Sequence, residues 1–497
     1  MAKETPDRLR DERISKLQAL RSTGVNPYPS RAERTHTASA FSAEFEQLQS
    51  ASTEVSVVGR LRALRRLGKA AFGVLEDATG RVQTFFQRDQ LERDYPLLAS
   101  VDIGDILGVS GTAFVTKTGE KSIRAVKFSV LSKTLRPLPD KFHGLKDQEI
   151  RYRRRELDLI VNKEVRDLFE KRALVLRHIR DFLDGHGFIE VETPVLQAKA
   201  GGTEATPFVT HHNALDIDLY LRIAPELFLK RLVVGGLEQV YELGKIFRNE
   251  GISPQHLQEF TELEFYWAYK NYNDLMPFTE EFLTQVLQRT YGTLEFTYGK
   301  HKLNFKGPWA RVDYFDAVKN ATGIDLSKVL TADELRRAIT KSKINVHLEP
   351  HMGYGRMIDN LYKATVRPGL VQPTFITGHP LAISPLAKRD AERPDRVERF
   401  QLVVAGFEIV NAYSELNDPR DQQERFEEQA KLRDAGDTEA HVNDEEFVES
   451  LEYGLPPTAG WGMGVDRLLT LIHNADNIRD VVFFPLMRPK GTLSGHD

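Results

Sequence analysis

The residues able to do chemistry concentrate in three stretches. In residues 239–269 two runs alternate with period two, which predicts paired, half-buried strands. In the first run Glu242, Gly244 and Arg248 alternate with Tyr241, Leu243 and Phe247; in the second Phe260, Glu262, Glu264 and Tyr266 alternate with Leu263, Phe265, Trp267 and Tyr269. A face that collects arginine, glutamate, tyrosine and a phenyl ring makes the floor of a polar pocket. An antiparallel pair with one solvated face is the plainer source of such alternation. The second stretch, Phe407 to Glu415, reads as a strand carrying Glu408, Asn411 and Glu415, where a buried strand would want no acid or amide. Strict alternation puts Glu408 and Asn411 on opposite faces, so both line one pocket only if a bulge or early turn intervenes. The third is Gly460-Trp461-Gly462-Met463-Gly464, whose glycines let a ligand or another backbone approach closely. A helix starting near Val465 then places Arg467 in its first turn. The spacing is neither G-x-G-x-x-G nor that of a P-loop.

The rest of the chain must position these groups. Its 497 residues exceed one ordinary core, so two or more domains are expected. Cysteine is absent, which excludes disulfides, thiolate-bound zinc and thiol nucleophiles. A net charge of −4 announces no global affinity for nucleic acid, although phosphate binding needs only a local basic stripe. The first 22 residues are charged and lack an apolar signal region, and no apolar run is long enough to cross a bilayer. The expectation is a soluble, cytoplasmic protein with no membrane partner.

Four segments follow from composition. Residues 1–52 form an N-terminal helical extension, with a charged helix over 5–21. Residues 53–133 hold five short strand patterns, beginning with Val55–Gly59, and fit a small OB-type barrel. Arg60, Arg62, Arg65, Arg66 and Lys69 lie between its first two strands; such a charge run is as readily a solvated face, but basic groups beside aromatic rings suit single-stranded nucleic acid. Residues 134–150 are a proline-bearing linker. Residues 151–497 carry all three chemical stretches, with an insertion over about 270–345 expected to be helical. Within this part Lys163 to His186 reads as an amphipathic helix ended by Gly187 and followed by the strand Phe188–Pro194.

Together these motifs carry a family resemblance. The unit 163–194 resembles motif 1 of class II aminoacyl-tRNA synthetases, which builds their dimer interface. Phe247-Arg248-Asn249-Glu250 followed by Glu259-Phe260-Thr261 resembles motif 2, and Gly460 to Leu469 resembles motif 3. The strings Arg136 to Gly144, Thr210 to Asp216, Leu221 to Leu227 and Gly454 to Gly460 are similar to the bacterial lysyl branch of that class. The implied fold is α+β: an N-terminal five-stranded OB-fold β-barrel that reads the anticodon, then a class II catalytic domain with an antiparallel sheet flanked by helices.

The resemblance also implies an activity: ATP-dependent ligation of L-lysine to tRNA(Lys) through a lysyl-adenylate, in a homodimer. It assigns catalytic roles to Arg248 and Arg467. ATP would be held by Arg248, Glu250, His256, Phe260, Glu408 and Arg467, with Phe260 and Arg467 sandwiching the adenine. Lysine would be held by Gly202, Glu226, Arg248, Glu264, Tyr266, Asn411 and Glu415, with Glu226 at the α-ammonium and Glu415 and Tyr266 at the side chain. Glu262 is expected to have no part in reading lysine. Mg2+ is the implied cofactor, on Glu408. Gln401 stands where the family usually has a second glutamate, which leaves the number of ions open. Leu257-Gln258 also depart from the family's motif 2 loop and predict a looser one. In the barrel Arg65, Phe72, Gln83 and, more weakly, Glu120 match anticodon readers. The alternatives are an aspartyl or asparaginyl synthetase, which would need cations in place of Glu415; a ligase that lysylates a translation factor, which would lack the barrel; and a non-catalytic tRNA-binding descendant.

Overall fold

The structure, a computed structural model, describes residues 6–139, 145–203, 205–349, 352–434 and 444–489. The string Asp140 to Gly144 lies outside the described residues. The chain divides into two compact units, Met1–Lys146 and Asp147–Asp497.

In the first unit the helix Pro6–Ser22 precedes two short helices, Ala38–Ala43 and Phe45–Ser50. The hydroxyl of Thr37 accepts from the amide of Ala40 and starts the second of the three. Strands β1 (Glu54–Leu67), β2 (Ala70–Glu76), β3 (Arg81–Gln87), β4 (Ile106–Val115) and β5 (Lys121–Ser132) close a barrel in the order β1-β2-β3-β5-β4. Alternate residues fill it, among them Val57, Leu61, Leu75, Phe86, Leu107 and Ile123. Strand β1 runs eight residues past the expected Gly59, because its buried positions continue to Leu61 and its pairing with β2 resumes after a register shift at Ala63 and runs to Leu67. The basic cluster up to Arg66 therefore lies within a strand, not between two. Arg60 donates to the carbonyl of Gly104 (2.8 Å), Arg66 donates to that of Leu98, and Arg62 is buried, leaving Arg65 and Lys69 exposed without those internal contacts.

The second unit contains β6 (Ile189–Glu190), β7 (Leu196–Gln197), β8 (Val209–His212), β9 (Ile217–Leu221), β10 (Gln239–Phe247), β11 (Glu259–Ala268), β12 (Glu295–Tyr298), β13 (His301–Asn304), β14 (Ala310–Asp313), β15 (Thr374–Thr377), β16 (Arg399–Val404), β17 (Phe407–Ser414) and β18 (Thr458–Gly464). Eight of them form one sheet, β14-β15-β16-β17-β18-β11-β10-β6, antiparallel except for the β14/β15 and β10/β6 pairs at its ends. One face of its centre is apolar. Trp461 stacks on Phe265 at 4.9 Å, and its indole N–H donates to Thr279 on the helix Tyr272–Tyr291. The helices Lys163–Gly185 and Val465–Ile472 contribute to the same core. The opposite face of the central strands is the polar one.

Two expectations need correction. Residues 270–345 are not wholly helical: β12 and β13 form a hairpin about Gly299 (φ 54°), and β14 joins the main sheet. Period two is present there, with Phe296 packed edge-on against Tyr291 and Phe305, but four-residue strands carry little signal beside the long helix before them. Tyr269 does not extend the apolar face. Strand β11 ends at Ala268, and Tyr269 turns out with φ 62° and 64% exposure so that the chain can enter the Asn271 cap of the next helix.

Candidate active site

Pairing across the sheet builds the site row by row. Strand β11 lies between β10 and β18, and β18 between β11 and β17. One row runs Glu264, Gly462, Asn411; the next runs Tyr266, Gly460, Tyr413. Gly460 is needed where it stands, because a Cβ there would lie 2.0 Å from Glu415 Oε1 and 2.6 Å from Tyr266 Cε1. In strand β17 the register against β16 slips: Val410 faces Leu402, yet Glu408 faces Val403, leaving Ile409 unpaired. This is the bulge that the sequence required, and Glu408 and Asn411 line the same cavity.

That cavity is lined by Gly202, Glu226, Arg248, Glu250, His256, Phe260, Glu264, Tyr266, Glu408, Asn411 and Arg467, among others. Residues up to 265 positions apart thus meet on one polar face. At one end stand carboxylates. Glu226, at the start of the helix Glu226–Val234, accepts from the Tyr413 hydroxyl (2.7 Å), and Tyr266 donates to Glu264 (3.2 Å). Gly202 adopts φ 94° and packs its backbone against Ala224 and Glu226, where a Cβ would come within 3.1 Å of both. Burial pushes the Glu264 carboxyl well above its ordinary range, and Glu262 and Glu226 add to the rise. Glu415 is 1% exposed and lies behind Gly460. Burial pushes it up to about 8, against the pull of Lys230.

At the other end stand cations and rings. The Arg248 guanidinium lies 5.0 Å from the centre of the Phe260 ring and 3.9 Å from Glu262. Arg467, in the first turn of the helix Val465–Ile472, approaches the carbonyl of Glu408 at 3.5 Å. Burial, then Arg467 and Arg248, lower the His256 imidazole to about 4, so it is neutral at pH 7. Its Nδ1 contacts the Ser253 hydroxyl at 2.7 Å. The motif 2 loop is anchored rather than loose. Leu257 is buried in the core, and the Gln258 amide donates to the carbonyl of Glu250 (3.0 Å).

Glu408 is the one carboxylate of the expected metal pair. Burial raises it, but Arg467, Arg367, Arg399 and Lys363 outweigh burial and hold it below its ordinary value, so it is an anionic oxygen donor. Gln401 is buried beneath it and is not part of the cavity wall. Its side-chain amide N–H donates to Glu408 Oε2 (2.9 Å), turning a donor, not an acceptor, toward that carboxylate. No cluster of three or more His, Cys, Asp or Glu able to hold a metal occurs among the described residues. This donor set fits a Mg2+ that takes most of its ligands from phosphate and water.

Several site residues escaped the sequence reading. Glu262, on the polar face as expected and not assigned to reading lysine, lines the cavity beside Arg248. Tyr413 and Arg399 line it too, and Arg399 donates to Asn411 Oδ1 (2.8 Å). Lys230 is fully buried between Glu226 and Glu415. Its spacing of four from Glu226 was legible, but that spacing ordinarily marks an exposed helix pair.

In the first unit Phe72 stands directly opposite Arg65 on the neighbouring strand. Phe72, Phe85 and Phe114 form a partly exposed aromatic row, with centroids 4.8 and 5.7 Å apart, capped by Arg124 over Phe114. Gln83 donates to Ser122 (2.9 Å), and Glu120 is exposed at the β4–β5 turn.

A bulged antiparallel sheet with motif 1, 2 and 3 residues in contact defines a class II aminoacyl-tRNA synthetase. Residues 147–488 match the family model described as tRNA synthetases class II (D, K and N), and residues 55–131 match that of the OB-fold nucleic acid binding domain. The chain is 49% identical over 484 residues to a lysine–tRNA ligase of Halalkalibacterium halodurans, covering 96% of each chain. It is 49% identical over 491 residues to that of Moorella thermoacetica, covering 99% of this chain and all of the other, and 46% identical over 484 residues to that of Bacillus subtilis, covering 96% and 97%. The chain belongs to the lysine–tRNA ligase family. No described helix is long and apolar enough to cross a membrane.

Proposed function

We propose that this protein joins L-lysine to tRNA(Lys) in two steps in the cytoplasm: formation of lysyl-adenylate with release of diphosphate, then transfer of the lysyl group to the terminal ribose with release of AMP. The observation that carries this reading is the acidic end of the cavity, where Glu226 and Glu264 line the wall and Glu415 lies directly behind Gly460, three carboxylates for the two ammonium groups of lysine. A long cation is costly to desolvate unless an anion meets it.

Neither step needs a covalent enzyme nucleophile, so positioning and charge neutralisation do the work. Glu226 takes the α-ammonium, with Gly202 giving the backbone room to approach. Glu415, with Tyr266 and Glu264 beside it, takes the ε-ammonium, and Asn411 adds a polar contact. Arg248 bridges the lysine carboxylate and the α-phosphate with its planar fork as the carboxylate attacks. Adenine lies between Phe260 and Arg467, and Glu250 accepts from its amino group. His256 lies on the phosphate side, where an arriving anion favours its protonated form. Glu408 would hold a Mg2+, which when bound would supply positive charge to the phosphates and the leaving diphosphate. Arg65, Phe72, Gln83 and Glu120 face the anticodon, with Phe72 as the stacking platform.

The protein also acts as a homodimer on this reading. Ile189, Val195, Leu196 and Val209, which follow the motif 1 helix, are apolar and 40–59% exposed, side chains of the kind an isologous interface covers. Sedimentation of an active monomer at working concentration would overturn the dimer. Diphosphate exchange across a panel of amino acids tests the function: lysine should be activated and aspartate and asparagine refused, and a preference for aspartate would refute it.

A further inference from the structure

One group at the site has no part in the reaction just described. Lys230, on the helix Glu226–Val234, is 1% exposed. Its ammonium lies 2.6 Å from Glu226 Oε1 and pairs with Glu415 Oε2. The rings of Tyr266, Tyr413 and Phe447 surround it, with centroids 5.9, 5.7 and 5.7 Å away. Two carboxylates and three rings are the surroundings that a lysine side chain seeks, and here a lysine of the chain itself fills them.

Glu226 and Glu415 are the two groups assigned to the two ends of the substrate, and Lys230 touches both. Glu415 is divided between two tasks. Its Oε2 meets Lys230, while Oε1 faces Gly460, which lines the cavity with Tyr266. Two buried carboxylates do not both stay ionised without a counter-charge. The groups that face the pair are Lys230 on the same helix as Glu226, Tyr266 and Glu264 from β11, Tyr413 from β17, and the Phe447 ring. Lys230 is the one cation among them.

We infer that Lys230 is a positioning residue for amino-acid choice: its fixed ammonium bridges Glu226 and Glu415, favours the anionic form of Glu415 against the burial that opposes it, and leaves one oxygen of Glu415 directed at the incoming ε-ammonium. This rests on the reading of Glu226 and Glu415 as the two ends of the lysine site. Without Lys230 Glu415 holds its proton more tightly, and the pocket loses its preference for a cationic side chain over a neutral one of the same length. Burial opposes the charge on Lys230, but Glu226 and Glu415 together hold its ammonium above the ordinary value, so the bridge persists at neutral pH.

The test uses the full-length chain with Lys230→Met, close in length and uncharged, and Lys230→Gln, whose amide can still donate to a carboxylate. Diphosphate exchange gives KM for lysine, norleucine and ATP across pH 6–9, with thermal melting alongside. The expected result is a lysine KM raised roughly tenfold or more near pH 7, an unchanged ATP KM, a fall of lysine KM displaced to higher pH, and reduced discrimination against norleucine. Lower melting with an unchanged lysine KM and pH profile in either folded variant, or failure of both variants to fold, makes Lys230 a core residue and overturns the inference. Glu415→Gln separates this from the underlying reading: if it too leaves lysine KM unchanged, the assignment of Glu415 fails, whereas a loss confined to Glu415→Gln refutes only the role of Lys230.

Discussion

The guanidinium of Arg172 donates to the carboxylate of Asp466, joining residues 294 positions apart with both side chains buried. The other Asp466 oxygen accepts from the amide of Thr261 (2.8 Å), and Arg172 also donates to the Thr261 hydroxyl (3.1 Å). One carboxylate thus fastens the helix Lys163–Gly185, the central hairpin and the glycine strand's helix to each other, and Arg467 follows it directly. Asp466→Asn should leave Arg172 buried and unneutralised and cost on the order of 3–5 kcal/mol. Urea unfolding monitored by circular dichroism reads this; an unchanged midpoint would show that the pair contributes nothing.

Amino-acid choice is tested by Glu415→Gln, which keeps shape and removes charge. Lysine-dependent exchange should lose on the order of 3–5 kcal/mol, while ATP binding stays near normal. Glu262 is no control, because it stands 3.9 Å from Arg248; the exposed Glu259 is. The pH sign follows from burial. A Glu415 carboxyl raised to about 8 is largely protonated at pH 7 and must lose that proton to meet an ammonium. Lysine affinity should therefore rise between about pH 6.5 and 8, with proton release on binding. Calorimetry in two buffers of different ionisation enthalpy measures it, and a flat profile contradicts it.

Phe72→Ala should weaken tRNA charging by about 1–3 kcal/mol per lost stacked base and spare lysyl-adenylate formation. Equal losses in both assays would place Phe72 in the barrel's structure, beside Phe85, rather than at the anticodon.

Gln401→Glu exchanges an amide donor 2.9 Å from Glu408 for a second carboxylate. Two such neighbours repel unless a cation sits between them. The magnesium titration of exchange should move to lower concentration; an unmoved titration would mean that position 401 does not sense the ion.

Much of this was legible in the chain itself. Period two across 239–268 and the glycine alternation of 460–464 are local patterns, and local patterns record which face of a strand is buried. Even the bulge in β17 was implied, because Glu408 and Asn411 could not otherwise share a pocket. What the sequence alone could not determine depends on partners far apart in it. Arg62 reads as one more exposed cation until the barrel closes over it, Gln401 as a metal ligand until its amide is seen turned to Glu408, and Lys230 as half of a surface pair with Glu226 until Glu415, 185 positions on, arrives beside it. A charge's role is set by its surroundings in space, since burial decides whether it must be paired and packing decides with what. The chain's local order determined the strands, the barrel and the motifs; only the tertiary fold decided which of its many charges became the site.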